Sequence, residues 1–428
     1  MKRNKEKQDR HFSIKALRTE WKLSRDKKLA GIDDISPSQF GADLDANLYR
    51  IYKAIYSDSF GFRELKVVPI SKGNGKMRII CIPTVADRLV QRVAVRLLTK
   101  DKSTNKQYLS KQLELENNPI VYGLGNLVRP NSGVEDALKK AVEIRQNFPW
   151  VLKTDIQSFF DKIDRKTLIK EFNSRFSNVP TLIKVVEKAI NCESEKRKTK
   201  LLEVNGIKRG VGIRQGMPLS PILSSFFLRK FDKVICKRIG EDRVIRYADD
   251  IIAFAGSKNE CEEMKDIIEK ELNEIKLTIP SLSDDKSKTK IVHPDNSVTF
   301  LGMEIYGKDG KYGINIDPKK CKEIEDEFCN ELSFDHAVKN NITLSKLLQS
   351  FESKKRGYND VYKCADNLGR FMNKLDKIKY EAQKKIMYDV FDQDLFDSLS
   401  IEKKKFLGFE NPVKKQMNPK RGSAFKKS

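Results

Sequence analysis

The sequence predicts an α+β fold, and three observations lead there. Short apolar runs meet across tight polar turns near residues 65–83 and 244–255, the pattern of β-hairpins. Elsewhere apolar residues recur at helical spacing, as in Phe40, Leu44, Leu48, Ile51, Tyr52 and Ile55. From residue 316 to 400 the chain becomes charged and mainly helical, which marks a separate helical domain. Its 428 residues, 39% hydrophobic and 34% charged, suffice for about two to four structural units and a buried core, which excludes global disorder.

Residues 1–30 form a basic arm, with Trp21 and Leu23 as docking points of a helix. Gly31-Ile32-Asp33-Asp34 opens a turn, Ser36-Pro37-Ser38 starts a helix, and one apolar stripe runs from Phe40 to Tyr56. Leu65 to Ile70 is a strand, Gly73-Asn74-Gly75 a hairpin turn, and Met77 to Pro83 the return strand. Lys72, Lys76 and Arg78 place cations around that hairpin, an arrangement suited to phosphates and equally to a solvent-facing ribbon. Val85 to Leu98 is a helix with Val90, Val93, Ala94 and Leu97 inward. Arg88, Arg92 and Arg96 recur every four residues along another face. They can hold a phosphate backbone, face solvent or pair with acids such as Asp87.

Trp150 to Asp155 is an apolar strand that ends on an acid and turns through Phe159 and Phe160. Such an acid is a helix cap, a turn residue or a ligand. Residues 191–203 read as an exposed charged loop or hairpin. Gly210 to Pro221 is turn-rich, with glycines that let backbone approach a ligand closely, and it feeds an apolar helix through Ile222, Leu223, Phe226, Phe227, Leu228 and Phe231. Val244 to Ala255 is the second hairpin, with Asp249 and Asp250 at its tip. Two adjacent carboxylates between apolar strands repel each other and are costly to desolvate. A divalent cation with oxygen ligands removes both costs, though an ordinary Asp-Asp turn is the simpler reading until a third carboxylate joins. Cys261 to Ile275 is an amphipathic helix, and Phe300 to Ile305 closes the unit as a strand.

The formal net charge is +24, with concentrations of Lys and Arg at both ends of the chain. Such an excess favours a polyanion, and nucleic acid is the usual one. Seven cysteines without a CxxC pair, and three histidines apart from them, give neither a zinc site nor a disulfide framework. No run reaches the length of a membrane span and no secretion signal is apparent, so a reducing cytoplasm is expected.

In order, Asp155-x-x-x-Phe159-Phe160, Gln215-Gly216-Met217-Pro218-Leu219-Ser220-Pro221, Tyr247-Ala248-Asp249-Asp250, Lys288 and Phe300-Leu301-Gly302 resemble the palm of reverse transcriptases. Gly31-Ile32-Asp33, Ile70 to Arg78 and Ile82 to Gln91 resemble the fingers of bacterial group II intron-type enzymes. The resemblance spans roughly residues 30–305, with a looser thumb-like match to about 400. It implies a right-hand polymerase: a basic arm over 1–30, fingers over 31–130, a palm over 131–305 with a ferredoxin-like antiparallel sheet plus helices, a helical thumb over 306–400 and a basic tail over 401–428.

It also implies residue roles. Asp155, Asp249 and Asp250, with the Ile156 carbonyl, would bind two Mg²⁺, with Mn²⁺ as a substitute. Lys72 and Arg78 match residues that grip the incoming triphosphate. Phe160 matches the steric gate against a ribose 2′-hydroxyl, and Gln215 matches a residue lining the nucleotide pocket. Lys288 is the general-acid candidate, with Lys286 the alternative. Arg88, Arg92, Arg96 and Lys76 would contact nucleic acid. Arg214 stands where group II enzymes usually have Pro, and the Tyr122 to Pro130 segment matches the family pattern loosely. The overall pattern looks more like the unknown-group and defence-associated bacterial enzymes.

The expected function is therefore an RNA-directed DNA polymerase that copies a bound, dedicated non-coding RNA from dNTPs into cDNA in antiviral defence. A maturase assisting the splicing of a group II intron is the alternative, and an inactive RNA-binding module on the same fold is the third reading. No membrane partner is expected, and a homo-oligomer is compatible with the sequence.

Overall fold

The structure, a computed structural model, describes residues 11–24, 29–71, 77–99, 109–116, 118–124, 130–282, 287–308 and 310–409. The fold is α+β, as the apolar patterning predicts. The chain divides into two units, Met1–His293 and Pro294–Ser428.

In the first unit, β1 (Lys66–Ser71) and β2 (Met77–Ile82) pair antiparallel, with Lys66 opposite Ile82 and Ser71 opposite Met77. Their expected turn at Gly73-Asn74-Gly75 lies outside the described residues. A larger sheet holds β3 (Val121–Tyr122), β4 (Trp150–Asp155), β5 (Val244–Tyr247), β6 (Asp250–Ala255) and β7 (Lys290–Val292) in the order β3-β5-β6-β4-β7. The pairs are antiparallel except β3 with β5. β6 is buried at every position from Ile251 to Ala255. A strand covered on both faces has no reason to alternate, so it reads as a continuous apolar run. The amphipathic helix Lys258–Glu274 packs on β4 and β6 and buries Cys261, Met264, Ile268 and Leu272. The helix Ser220–Ile239 has Pro in its first turn and is buried on nearly all sides, which makes it the central helix of the core.

The helices beside β1 and β2 follow their caps. Thr84 accepts the Asp87 N–H at 3.1 Å and starts Val85–Leu98. Ser36 and Gln39 form a reciprocal capping box. The single stripe expected from Phe40 to Tyr56 is two helices, Pro37–Ala42 and Leu44–Tyr56, divided at Asp43. Of the arm, helix Ile14–Ser24 has Leu17 fully buried, and the Trp21 ring lies 5.2 Å from Phe40. Leu23, expected to dock, is exposed. Helix geometry explains the split, because residues two apart face different sides.

Residues 191–203 differ from the expected exposed loop or hairpin. They contain a 3₁₀ turn at Lys196–Lys198 and the start of helix Thr199–Val204, with Ser194, Glu195 and Leu202 buried. The charges conceal an anchor: Glu195 accepts the Val67 N–H of β1 at 2.8 Å.

The second unit opens with a three-stranded meander, β8 (Val298–Phe300), β9 (Met303–Lys308) and β10 (Lys311–Ile316). Leu301 and Gly302 both take positive φ and make its first turn, so the Phe-Leu-Gly motif is a two-residue hairpin connection. This meander belongs with the helices that follow rather than with the sheet before it. The boundary between units thus falls at 293/294, where the sequence reading drew palm and thumb at 305/306. Helices Pro318–Glu331, Leu344–Val361 and Leu368–Phe391 make up most of the rest, with Phe328 and Phe351 rings 4.7 Å apart between the first two. Residues 401–406, assigned to the basic tail, are a short helix, and residues 410–428 lie outside the described residues. Among the described residues, no helix is long and apolar enough to cross a membrane.

Candidate active site

The register of the large sheet assembles the site. Asp155, last in β4, sits opposite Asp250, first in β6. Asp250 also faces Tyr247 across the β5–β6 hairpin, which leaves Ala248-Asp249 as a two-residue turn. Ala248 takes φ +54°, the left-handed conformation that such a loop requires at its first position. The Ile156 N–H donates to the Asp249 carbonyl at 2.9 Å and ties the turn to the chain leaving β4. Three carboxylates thereby gather at one end of the sheet.

Asp155 is buried, and its Oδ2 accepts a charge-assisted hydrogen bond from Lys288 Nζ. Its Oδ1 is buried with no hydrogen-bond partner among the described residues. A second contact steadies this pair: the Thr154 and Thr289 hydroxyls lie 2.7 Å apart in the core. Burial acts to lower the Lys288 ammonium, but the hydrogen bond and charge of Asp155 outweigh it and hold the pKa above its ordinary value. Burial pushes the carboxyls of Asp249 and Asp250 up. Asp155 adds to the shift of Asp249, and Asp249 to that of Asp250.

Among the described residues, no three acidic, thiol or imidazole side chains converge on one point, so the carboxylates are neighbours rather than a closed ligand shell. They still suit a divalent cation. A buried carboxylate oxygen without a partner, beside two acids that resist ionisation, is the electrostatic problem that a hard cation with oxygen ligands removes.

Sequence reasoning missed what holds the turn. Arg246 and Asp232 are both fully buried and form a two-pronged pair, Nε to Oδ1 and Nη2 to Oδ2, each 2.6 Å. The remaining Arg246 nitrogen, Nη1, donates to the Ala248 carbonyl at 2.9 Å. The legible signal was a charge inside an apolar strand and an opposite charge inside an apolar helix.

A second loop closes on the site from the side of β1 and β2. The Cys81 N–H donates to the Gln215 carbonyl at 2.7 Å. Gly216 has φ +102°, and a Cβ there would lie 2.6 Å from the Cys81 carbonyl oxygen. The Ile213 N–H donates to the Phe160 carbonyl at 2.8 Å, and a Cβ on Gly212 would fall 2.5 Å from that same oxygen. Both glycines are therefore required by close backbone approach as well as by conformation. Phe160 and Gln215, assigned to one nucleotide pocket, are connected through this loop.

The family model for reverse transcriptase (RNA-dependent DNA polymerase) matches residues 70–305, more than half of the chain. The chain belongs to the reverse transcriptase family. The reverse transcriptase is thus an RNA-directed DNA polymerase, a nucleotidyltransferase whose template is RNA. It is 25% identical over 325 residues to Protein YkfC of Escherichia coli (strain K12), covering 66% of this chain and 77% of YkfC. It is 24% identical over 327 residues to the group II intron-encoded protein LtrA of Lactococcus lactis subsp. cremoris, covering 61% of this chain and 50% of LtrA. The chain thus spans about three quarters of YkfC but half of LtrA. Among solved structures, telomerase from Candida albicans in complex with a fragment of telomeric RNA is 14% identical, with a TM-score of 0.42, covering 86% of this chain and 69% of that one.

The other expected site residues of the reverse transcriptase are distributed unevenly. Lys72, Lys76 and the alternative acid Lys286 lie outside the described residues. Arg78 is exposed on β2, and its charge reaches Asp249. The arginine ridge is largely committed within the chain. Arg88 donates to the carbonyls of Pro83, at 2.9 Å, and Leu29. Arg96 is paired with the buried Glu20. Burial lowers the pKa of Arg92. Helical spacing put the three on one face but could not reveal that the N-terminal arm covers it.

Proposed function

We propose that this reverse transcriptase copies a dedicated structured RNA into cDNA in anti-phage defence, by two-metal nucleotidyl transfer. The observation that carries the catalytic reading is the register placing Asp155 opposite Asp250, with Lys288 on Asp155. Asp155, Asp249 and Asp250, with the Ile156 carbonyl, would hold two Mg²⁺, which when bound activate the primer 3′-hydroxyl and neutralise the triphosphate and leaving pyrophosphate. The chain's own groups do the rest. Lys288, kept protonated beside Asp155, donates a proton to the leaving pyrophosphate. Arg78, with Lys72, grips the triphosphate. Phe160 excludes the ribose 2′-hydroxyl, and Gln215 lines the pocket for the base and sugar. Lys76 contacts the template–primer backbone.

The defence assignment and the dedicated non-coding RNA are supported by the likeness of the sequence pattern to defence-associated bacterial enzymes. Sequencing the RNA that co-purifies with the protein, together with any attached cDNA, tests both. One recurrent short RNA with its complementary DNA is expected, and a random transcript population with no cDNA would overturn the reading. The second reading, a maturase for a group II intron, is favoured by the likeness to LtrA. An intron RNA as the co-purifying species, spliced faster when the protein is added, would select it. The intact set of three carboxylates argues against an inactive RNA-binding module, because uncompensated clustered acids are costly to keep.

A further inference from the structure

The loop that bears Gln215 is held by a side chain to which no role has been assigned. Glu193 lies in the segment first read as surface, yet its carboxylate is the hub of a buried network. Oε1 accepts from Arg165 at 2.7 Å and from the Gly210 N–H at 2.8 Å, and Oε2 accepts from Arg214 at 2.7 Å. Both arginines are buried, with side chains 7% and 1% exposed, and both reach onward to the loop. Arg165 Nε donates to the Gly212 carbonyl at 2.6 Å. Arg214 donates to the carbonyls of Lys208, at 2.8 Å, and Val211, at 3.1 Å. One carboxylate thus sets the path of the chain from Lys208 to Arg214.

What this path positions is the pocket. Gly212 and Ile213 press on and hydrogen-bond the backbone of Phe160, and Gln215 takes the Cys81 N–H of β2. β2 also carries Arg78. The Glu193 backbone joins the same frame from behind, since its carbonyl accepts the Leu65 N–H at 2.9 Å just before β1. The walls assigned to the nucleotide therefore share one internal anchor. Two guanidiniums around a single carboxylate leave an excess positive charge that only a tightly bonded geometry makes tolerable. Such a geometry has one low-energy arrangement rather than several.

We infer that Glu193, acting through Arg165 and Arg214, is a positioning residue of the nucleotide pocket that sets both dNTP affinity and discrimination against ribonucleotides. This rests on the assignment of Phe160 and Gln215 to that pocket. Glu193 touches no reacting atom. Its effect belongs in binding and selection, while the carboxylate end of the sheet is held independently by Arg246 and Asp232.

The test is steady-state primer extension by the full chain on an RNA template annealed to a DNA primer, with dNTP or rNTP varied. Wild type and Phe160→Ala are run alongside. Glu193→Gln, which keeps shape but removes charge, is expected to raise the dNTP KM about tenfold and lower the preference for dNTP over rNTP severalfold, with kcat within about threefold. Glu193→Asp should recover part of both. Arg214→Lys is the milder arm, since an ammonium cannot replace the fork. It should raise the KM about threefold. Unchanged KM and selectivity overturn the inference. So does a loss confined to kcat, or one that merely tracks the folded fraction measured by thermal unfolding in all three variants. Failure of the underlying assignment looks different: Phe160→Ala itself would then leave ribonucleotide exclusion intact.

Discussion

The turn that carries Asp249 and the loop that carries Gln215 are both held by buried arginine–carboxylate contacts, but they are held differently. At the turn, one Arg and one Asp match each other fully, and a single spare N–H fixes the Ala248 carbonyl. At the loop, one Glu is divided between two arginines, and the backbone adds ties from Cys81 and Phe160. The first arrangement concentrates position in one rigid fork. The second distributes it over many bonds. Loss of one bond at the turn therefore removes the tie to the Ala248 carbonyl outright, whereas the loop has several ties.

Buried acids without a guanidinium partner complete the contrast. Glu193 is half-buried, and burial alone would raise its pKa. The Gly210 N–H and the two arginines reverse that and hold it below the ordinary carboxylate range. Asp87, buried and, among the described residues, hydrogen-bonded by the Thr84 hydroxyl and the Arg63 N–H without a guanidinium fork, is pushed up to about 6, chiefly by desolvation.

The largest effect should come from the turn. Asp249→Ala with Asp250→Ala is expected to lower DNA synthesis at least about a thousandfold while folding and RNA binding persist. Retained primer extension would remove the turn from the chemistry and end the comparison. Next, Asp232→Ala strands a fully buried Arg246 charge and should cost about 3–5 kcal/mol in denaturant unfolding. Glu193→Gln should cost less, because the amide keeps an acceptor for the arginines and the side chain is partly exposed to solvent. Equal losses would mean that both loops are held in the same way.

Asp87 tests the role of the guanidinium. Its folded pKa of about 6 lies above the ordinary aspartate value of 3.8. Below about pH 3 the acid is protonated folded or unfolded. As pH rises towards 6, the unfolded chain releases a proton that the folded chain retains, so stability falls and then levels. Asp87→Asn should therefore gain on wild type by up to about 3 kcal/mol between pH 3 and pH 7.5. A pH-independent difference in urea titrations would show that Asp87 ionises normally. The smallest effect is expected at the pocket: Phe160→Ala should lower the preference for dNTP over rNTP about tenfold, with DNA synthesis largely retained. Strict dNTP selection by that variant would place the gate elsewhere.

The strands of the sheet were readable because both their faces are buried, which turns Ile251 to Ala255 and Val151-Leu152 into unbroken apolar runs. The turn at Ala248-Asp249 was readable as a short segment between such runs, whereas Phe300 to Ile305, read as one strand, is broken by a turn at Leu301-Gly302, because two apolar or small residues there give no polar punctuation. Charges also misled. Arg88, Arg92 and Arg96 have the spacing of an exposed ridge, and residues 191–203 have the composition of an exposed loop. In both, long polar side chains have buried partners distant in sequence: Glu20 for Arg96, and Arg165 and Arg214 for Glu193. Helical period and local composition carry no information about such partners.

By itself the sequence determined that this chain is an α+β reverse transcriptase, that Asp155 ends a strand and that Asp249 and Asp250 tip a hairpin. The fold class, the strand end and the hairpin tip are local properties, dictated by the alternation or continuity of apolar residues and by turn chemistry, whereas the family reading rested on the resemblance of the motifs to reverse transcriptases. Only the tertiary structure decided that β4 lies beside β6 in the register that sets Asp155 against Asp250, and that the turn and the pocket loop have separate anchors. The reason is that register and buried charge pairing depend on groups far apart in the chain, and a one-residue slip would turn every side chain of the strand to the other face.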